Sequence, residues 1–456
     1  MFPSDYLIQK YQQNVPRYTS YPPANYFCEQ SIATYKQAIV ESNATAPNHI
    51  SIYIHIPFCS QLCWYCGCNS TGFTNRTAIT EYLQNLHTEI RNTIQLLDTQ
   101  RKISQIHFGG GTPSLLTKKE LYDILSLFSS HFSFTNTAEI AIECNPANLT
   151  FAYIDELASI GFNRISLGVQ DFDKNVLTTV HREIPNIPIP KMALYIQSKN
   201  IALNFDFIYG LPLQTSESFA KTIEKAITCN PDRIVTFSYA HMPSLKPLQK
   251  KIDTYAMVTG KEKLKILYTT HNQIVDAGYI SIGFDHFAKP QDELARALHE
   301  KKLHRNFQGY CTRESTGQVY AFGSSGITQL SHSFFQNNKN YTEYNKAIQE
   351  NGFATTMGHI RSHNELLINT MIEMILCNNI IDWKTVATHC NLSPDYVQEF
   401  FSFSEIKVAE LLADGLLQKE SYGFSVTKTG AFFSRNIAAA FDPVLVTSNK
   451  LFSSSI

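Results

Sequence analysis

From about residue 50 the chain alternates short β-branched apolar runs with longer amphipathic stretches. The runs are ISIYIHIP, with its core at 51–57, then ISQIHFGGG (103–111), EIAIECNP (139–146), RISLGVQ (164–170), NFDFIYG (204–210) and RIVTFSYA (233–240). Each ends in Gly, Asn, Pro or a polar residue. Between them, TEYLQNLHTEIRNTIQLL, KKELYDILSLFSSHF and SESFAKTIEKAI carry apolar residues at helical spacing. Strand alternating with helix predicts parallel pairing and right-handed crossovers. Several runs are apolar almost throughout, as expected where both faces of a sheet are covered.

Six such units form a doubly wound sheet or part of a barrel, and in both the chemistry collects at the C-terminal strand ends. The unusual residues stand there: cysteines after the first run, GGGTP after the second, Glu143 and Asn145 on the third, Gln170 on the fourth, Asp206 and Tyr209 on the fifth, and Tyr239 to His241 at the sixth. After about residue 300 the rhythm changes. GQVYAFGSSGIT leads into helical segments without clear βα alternation. Near the end, FSEIKVAELLADGLLQKESYGFSVTKTGAFFSRNI reads helix, strand, turn, strand, helix, like a winged helix. It has no basic recognition surface, so a packing role is expected rather than DNA binding. The expected organisation is an N-terminal arm (1–48), a βα array (49–300) and a mostly helical C-terminal domain (301–456).

At 456 residues the chain is too long for one simple core. Its net charge of −1 gives no general attraction to nucleic acid or an anionic membrane, so an anionic substrate must meet a local basic patch. The opening MFPSDYLIQKYQQNVPRYTSYPP lacks a signal-peptide pattern, and no apolar run approaches the roughly 20 residues of a membrane span. A cytoplasmic protein with reduced thiols is expected. Cys28, Cys144, Cys229, Cys311, Cys377 and Cys390 are scattered and read as small packed hydrophobes.

Four other cysteines, Cys59, Cys63, Cys66 and Cys68, crowd into YIHIPFCSQLCWYCGCN. A structural zinc site favours two separated ligand pairs, and no second pair stands at a fitting distance. A four-thiolate iron–sulfur cluster would need a loop tight enough to place Cys66 and Cys68 at two corners. A third arrangement uses Cys-x3-Cys-x2-Cys alone, leaving one iron open to a small molecule.

Cys-x3-Cys-x2-Cys directly after the first strand of a βα array resembles the radical S-adenosylmethionine (SAM) superfamily. VPRYTSYPPA, the cysteine stretch, HFGGGTPSLL, ISLGVQDF, DFIYGLPLQT, FSYAHMP, IGFDHFAKP and HRNFQGYCT narrow the resemblance to the oxygen-independent coproporphyrinogen III oxidase family, from residue 15 to beyond 310. The fold implied is a partial (β/α)6 TIM-like barrel of the radical SAM type, with an N-terminal arm and a mostly helical, winged-helix-like C-terminal domain. The resemblance implies that Cys59, Cys63 and Cys66 hold a [4Fe-4S] cluster, whereas Cys68 is not a ligand but serves catalysis. Tyr53, Tyr65, Gly110, Gly111, Thr112, Glu143, Gln170, Arg182, Asp206, Ala240 and Ile327 fall on SAM-binding positions. Tyr65 departs mildly from the family, where Phe is common. Two SAM molecules are implied.

The reaction implied is oxidative decarboxylation of the ring A and ring B propionates of coproporphyrinogen III to vinyl groups, through a 5′-deoxyadenosyl radical. A flavodoxin-like electron donor and a monomeric state come with the family. Arg17, His304 and Arg305 are candidates to meet propionates, each with a paired structural charge as its plainer reading. A related haem chaperone is the nearest rival, but such relatives typically lack the Cys-x-Cys ending and the long N-terminal arm, both present here. A cluster-based DNA-binding sensor is a weaker one, given the neutral charge and the non-basic tail.

Overall fold

The computed structural model describes residues 2–72, 75–283, 285–312, 317–446, 450 and 452–455. Phe284 of the IGFDHFAKP stretch lies outside them. The six predicted runs form β1 (Ile50–Ile56), β2 (Ile103–Gly110), β3 (Phe134–Cys144), β4 (Arg164–Gln170), β5 (Ala202–Tyr209) and β6 (Arg233–Ser238). They lie side by side in chain order, each parallel to the next. The predicted helices follow their strands, at Arg76–Ile94, Lys118–Ser129 and Ser216–Thr228. Side-chain caps start them: Asn75, Thr117 and Thr215 each accept a backbone N–H of the first turn.

The two faces of the sheet differ in kind. Ile50, Ile52, Ile54 and Ile56 of β1 are all fully buried on the outer, helix-covered face. The alternate positions carry Ser51, Tyr53 and His55, and on β2 they carry Gln105 and His107. β3 continues this inner row with Glu139 and Glu143, β4 with Arg164 and Ser166, β5 with Asn204 and Asp206. Polar contacts join the row across strands. Gln105 donates to Glu139 at 3.0 Å, Arg164 to Glu139 at 2.5 Å and to Asn204 at 2.8 Å. Burial would raise the Glu139 carboxyl, but the guanidinium groups of Arg164 and Arg233 outweigh it and hold it down at about 2.

The sheet continues past residue 300. β7 (Val319–Phe322) pairs parallel to β1, and three antiparallel strands, Ile327–Gln329, Ser333–Asn337 and Thr355–Ile360, follow it outward. Patterning alone did not pick these strands out, because they lack the regular helical spacers of the βα units. On the other side, His286–Ala288 pairs antiparallel to β6. The tail forms a small three-stranded sheet in the order Ile380–Asp382, Gly423–Val426, Leu417–Glu420, flanked by Glu405–Ala413 and Ser434–Ala440, which matches the winged-helix-like pattern.

The arm is stitched to the tail. Arg435 donates to the carbonyls of Val15 and Pro16, and the hydroxyls of Tyr18 and Tyr21 donate to Asp442 at 3.0 and 2.8 Å. Arg305, on the hairpin strand Leu303–Asn306, donates to the carbonyl of Arg17. Most buried apolar side chains, from Ile8 to Phe441, form one large core, while Cys63 and Tyr65 pack in a separate smaller cluster with Val176, Val180, Leu211, Tyr239 and Ile252.

Candidate active site

The cysteine loop leaves β1 at Pro57. Phe58–Cys59 pairs with Thr71–Gly72, so the loop closes on itself. Inside it, the Cys66 N–H donates to the Cys63 carbonyl at 3.2 Å, and the Trp64 N–H donates to Val180 at 3.0 Å. Cys59 and Cys63 are buried, Cys66 is half-buried and Cys68 is exposed. Burial pushes the Cys59 thiol up to about 11, and the neighbouring Cys66 and Cys63 add to the rise. Hydrogen bonding from Cys68 pulls the Cys66 thiol down to about 6 and raises that of Cys68 in return. Arg182 brings Nη1 to 3.6 Å from the Cys63 sulfur. Several soft sulfur donors beside a fixed cation suit an anionic iron–sulfur cluster.

The Gly109–Gly111 loop lies directly against this one. The Gly111 and Thr112 N–H groups donate to Ile56 and Phe58 at 2.8 Å each. A Cβ on Gly111 would stand 2.7 Å from the Phe58 carbonyl oxygen, and one on Gly110, whose φ is +116°, would strike the His55 ring. The next inner groups follow in sequence around the sheet. Tyr53 stacks on His107, and His107 Nε2 sits 3.0 Å from Glu143 Oε1. The Gly110 N–H donates to the same carboxylate at 3.3 Å.

Gln170 breaks the regularity of β4. Its φ is +66°, the register to β5 slips between Gly168 and Gln170, and its buried Oε1 has no hydrogen-bond partner among the described residues. A strained, bulged residue with an orphaned polar atom is the mark of a ligand contact. Asp206 accepts from Ser166 at 2.7 Å, and burial pushes its carboxyl up to about 6. Ala240 presents its carbonyl at the end of β6. One amide, Gln249 Nε2, donates to both the Ala240 and the Tyr65 carbonyls at 3.1 Å. Ile327 lies on the other flank, on a strand paired to β7 and so two strands from β1.

Residues 53–226 match the model of the radical SAM superfamily. Over 446 residues the chain is 37% identical to the oxygen-independent coproporphyrinogen III oxidase of Synechocystis sp., covering 97% of this chain and 96% of that one. It is 38% identical to the Escherichia coli protein of that name over 443 residues, 96% of this chain and 95% of that one. The chain belongs to the oxygen-independent coproporphyrinogen III oxidase family. A solved structure of coproporphyrinogen III oxidase from Escherichia coli, a radical SAM enzyme, superposes with a TM-score of 0.88 at 34% identity, covering 97% of this chain and 99% of that one.

Membership in the oxygen-independent coproporphyrinogen III oxidase family brings with it a [4Fe-4S] cluster and SAM. The donors here fit both: thiols beside Arg182 for the cluster, and an orphaned Gln170 amide oxygen for the organic cofactor. Sequence reading passed over His55, His107, Ser166, Lys246 and Gln249. His55 and His107 were legible in principle, since they share the period-two inner face of Tyr53. Gln249 was not, because its partner Tyr65 lies 184 residues away. The Lys246 ammonium likewise reaches the Cys68 carbonyl at 2.8 Å from a distant loop.

All three propionate candidates have protein partners in the structure. His304 Nδ1 lies 2.5 Å from Glu373, and Arg305 holds the arm backbone. Arg17 donates to the Ser238 carbonyl at 3.0 Å, at the C-terminal end of β6.

Proposed function

We propose that this chain converts coproporphyrinogen III to protoporphyrinogen IX without oxygen, turning the ring A and ring B propionates into vinyl groups. The observation that carries the reading is the packing of the glycine loop against the start of the cysteine loop, in a chain that matches its oxidase relatives along nearly its whole length. When bound, the cluster and SAM supply the one-electron cleavage that gives the 5′-deoxyadenosyl radical.

The protein's part is to bind, orient and exclude. Gly110, Gly111 and Thr112 offer backbone groups to SAM, while Tyr53 and Tyr65 form aromatic walls. Arg182 forks toward a carboxylate. Glu143 and Asp206 accept from the ribose hydroxyls or the ammonium. Gln170 uses its unpaired oxygen as a further acceptor. Ala240 contributes its carbonyl and Ile327 an apolar contact on the far flank, consistent with a second SAM. Arg17 meets a propionate at the mouth, with the arm (1–48) and the C-terminal domain (301–456) closing over the barrel (49–300). Cys68 touches the reacting region without ligating iron.

The chain works as a cytoplasmic monomer and takes its electron from a flavodoxin-like donor. Among the described residues no helix is long and apolar enough to cross a membrane. The test is anaerobic incubation of the reconstituted protein with SAM, dithionite and coproporphyrinogen III. The expected result is vinyl product with one carbon dioxide per propionate. Tight haem binding without decarboxylation would instead identify a haem chaperone.

A further inference from the structure

The outer wall of the cysteine loop is a surface with its own character. Trp64, between Cys63 and Cys66, is half-buried, and its indole stacks on the exposed His181 at 5.2 Å and 13°. The Lys251 ammonium stands 5.3 Å over the same indole. Segment 242–255 runs alongside, tied to the loop through Lys246 on the Cys68 carbonyl and Gln249 on the Tyr65 carbonyl. It exposes Leu245 by 59%, Leu248 by 39% and Tyr255 by 38%, with Lys250 and Lys251 beside them. Its one acidic residue, Asp253, is engaged by His241 at 2.8 Å.

Single exposed leucines are ordinary. Here an apolar centre and a basic rim coincide at the wall of a metal-binding loop, in a chain whose net charge is −1. We propose that this face docks a small acidic protein that carries single electrons. The inference rests on the reading above, since that chemistry needs an electron delivered to the cluster from outside. Charge complementarity selects an acidic partner and speeds its encounter, while a modest apolar centre allows rapid release, as transient redox contacts require. In the step itself a flavin hydroquinone loses one electron and becomes the semiquinone. The cluster takes that electron, its core charge falling from 2+ to 1+. No bond forms or breaks and no proton moves.

The test uses the reconstituted holoprotein and flavodoxin hydroquinone as the probe. Stopped-flow absorbance follows cluster reduction, and calorimetry follows flavodoxin binding. In Lys250→Glu/Lys251→Glu the second-order rate falls at least about tenfold, its salt dependence flattens and binding weakens in parallel. Leu248→Ser lowers affinity with the salt dependence kept. Dithionite reduces wild type and both variants at one rate. An unchanged flavodoxin rate in the double variant overturns the proposal, as does an equal fall with dithionite. Failure of the underlying reading looks different: dithionite-reduced wild type would make no vinyl product.

Discussion

Arg182 ties the cysteine loop to β4: Nη1 lies 3.6 Å from the Cys63 sulfur, and Nη2 donates to the Gly168 carbonyl at 2.6 Å. A fixed cation and a hydrogen bond at a ligating sulfur favour the reduced, more negative cluster. Arg182→Gln should therefore make the cluster harder to reduce, by about 60 mV for each tenfold of lost stabilisation. An electron paramagnetic resonance titration reads this. An unmoved potential would confine Arg182 to holding the loop or the cofactor.

Cys68 is exposed, and its hydrogen bonding acts on Cys66. Cys68→Ser keeps a hydroxyl donor at that place and leaves three thiols for iron. Iron and sulfide content should stay at the wild-type level while turnover falls steeply. Loss of iron would mean that the ligand assignment is wrong.

Asp206 carries a stability cost when it is ionised. Burial raises its carboxyl from 3.8 in the unfolded chain to about 6 in the fold, so the folded state holds its proton more tightly. The cost of burying the carboxylate is absent at low pH, appears as pH rises above about 4 and is complete above about 6, reaching on the order of 3 kcal/mol at most. Asp206→Asn in the cluster-free chain should melt higher than wild type at pH 8, with the gap closing near pH 4. SAM binding to the reconstituted variant, measured by calorimetry, should weaken. A lower melting point at pH 8 would count against the uncompensated carboxylate.

Gly111→Ala sets a methyl group 2.7 Å from the Phe58 carbonyl oxygen and 2.8 Å from the Pro57 carbonyl carbon, both backbone atoms with little room to yield. The change should cost about 1–3 kcal/mol and part the glycine loop from the cysteine loop. Thermal melts and SAM binding should fall together. A variant with wild-type melting and affinity would remove the glycine loop from the site.

The arm depends on Arg435, whose guanidinium donates to Val15 and Pro16 on one side and to Ser453 and Ser454 on the other. Arg435→Met should release it, raising the initial rate of tryptic cleavage after Arg17 by about tenfold or more, because local opening controls access. Mass spectrometry of the fragments reads the site.

What the sequence by itself determined was local. The spacing of Cys59, Cys63 and Cys66, the glycine run at the end of β2 and the six βα units are fixed by residues near one another in the chain, where periodicity and turn chemistry act directly. Tertiary structure alone decided what the inner face became. Runs that read as nearly all apolar proved to be apolar on the outer face and polar within, since strand alternation acquires a meaning only when the sheet curves around a cavity. It also decided the partners. His107 meets Glu143 across 36 residues, and Gln249 ties Tyr65 to Ala240 from 184 residues away. Such pairs leave no spacing to read, because the chain between them is free to vary while the folded distance is not. For the same reason β7 and the strands beyond it were invisible before folding: they lack the regular helical spacers that mark the βα units, and each gains its identity only by pairing with β1 or with the strand before it.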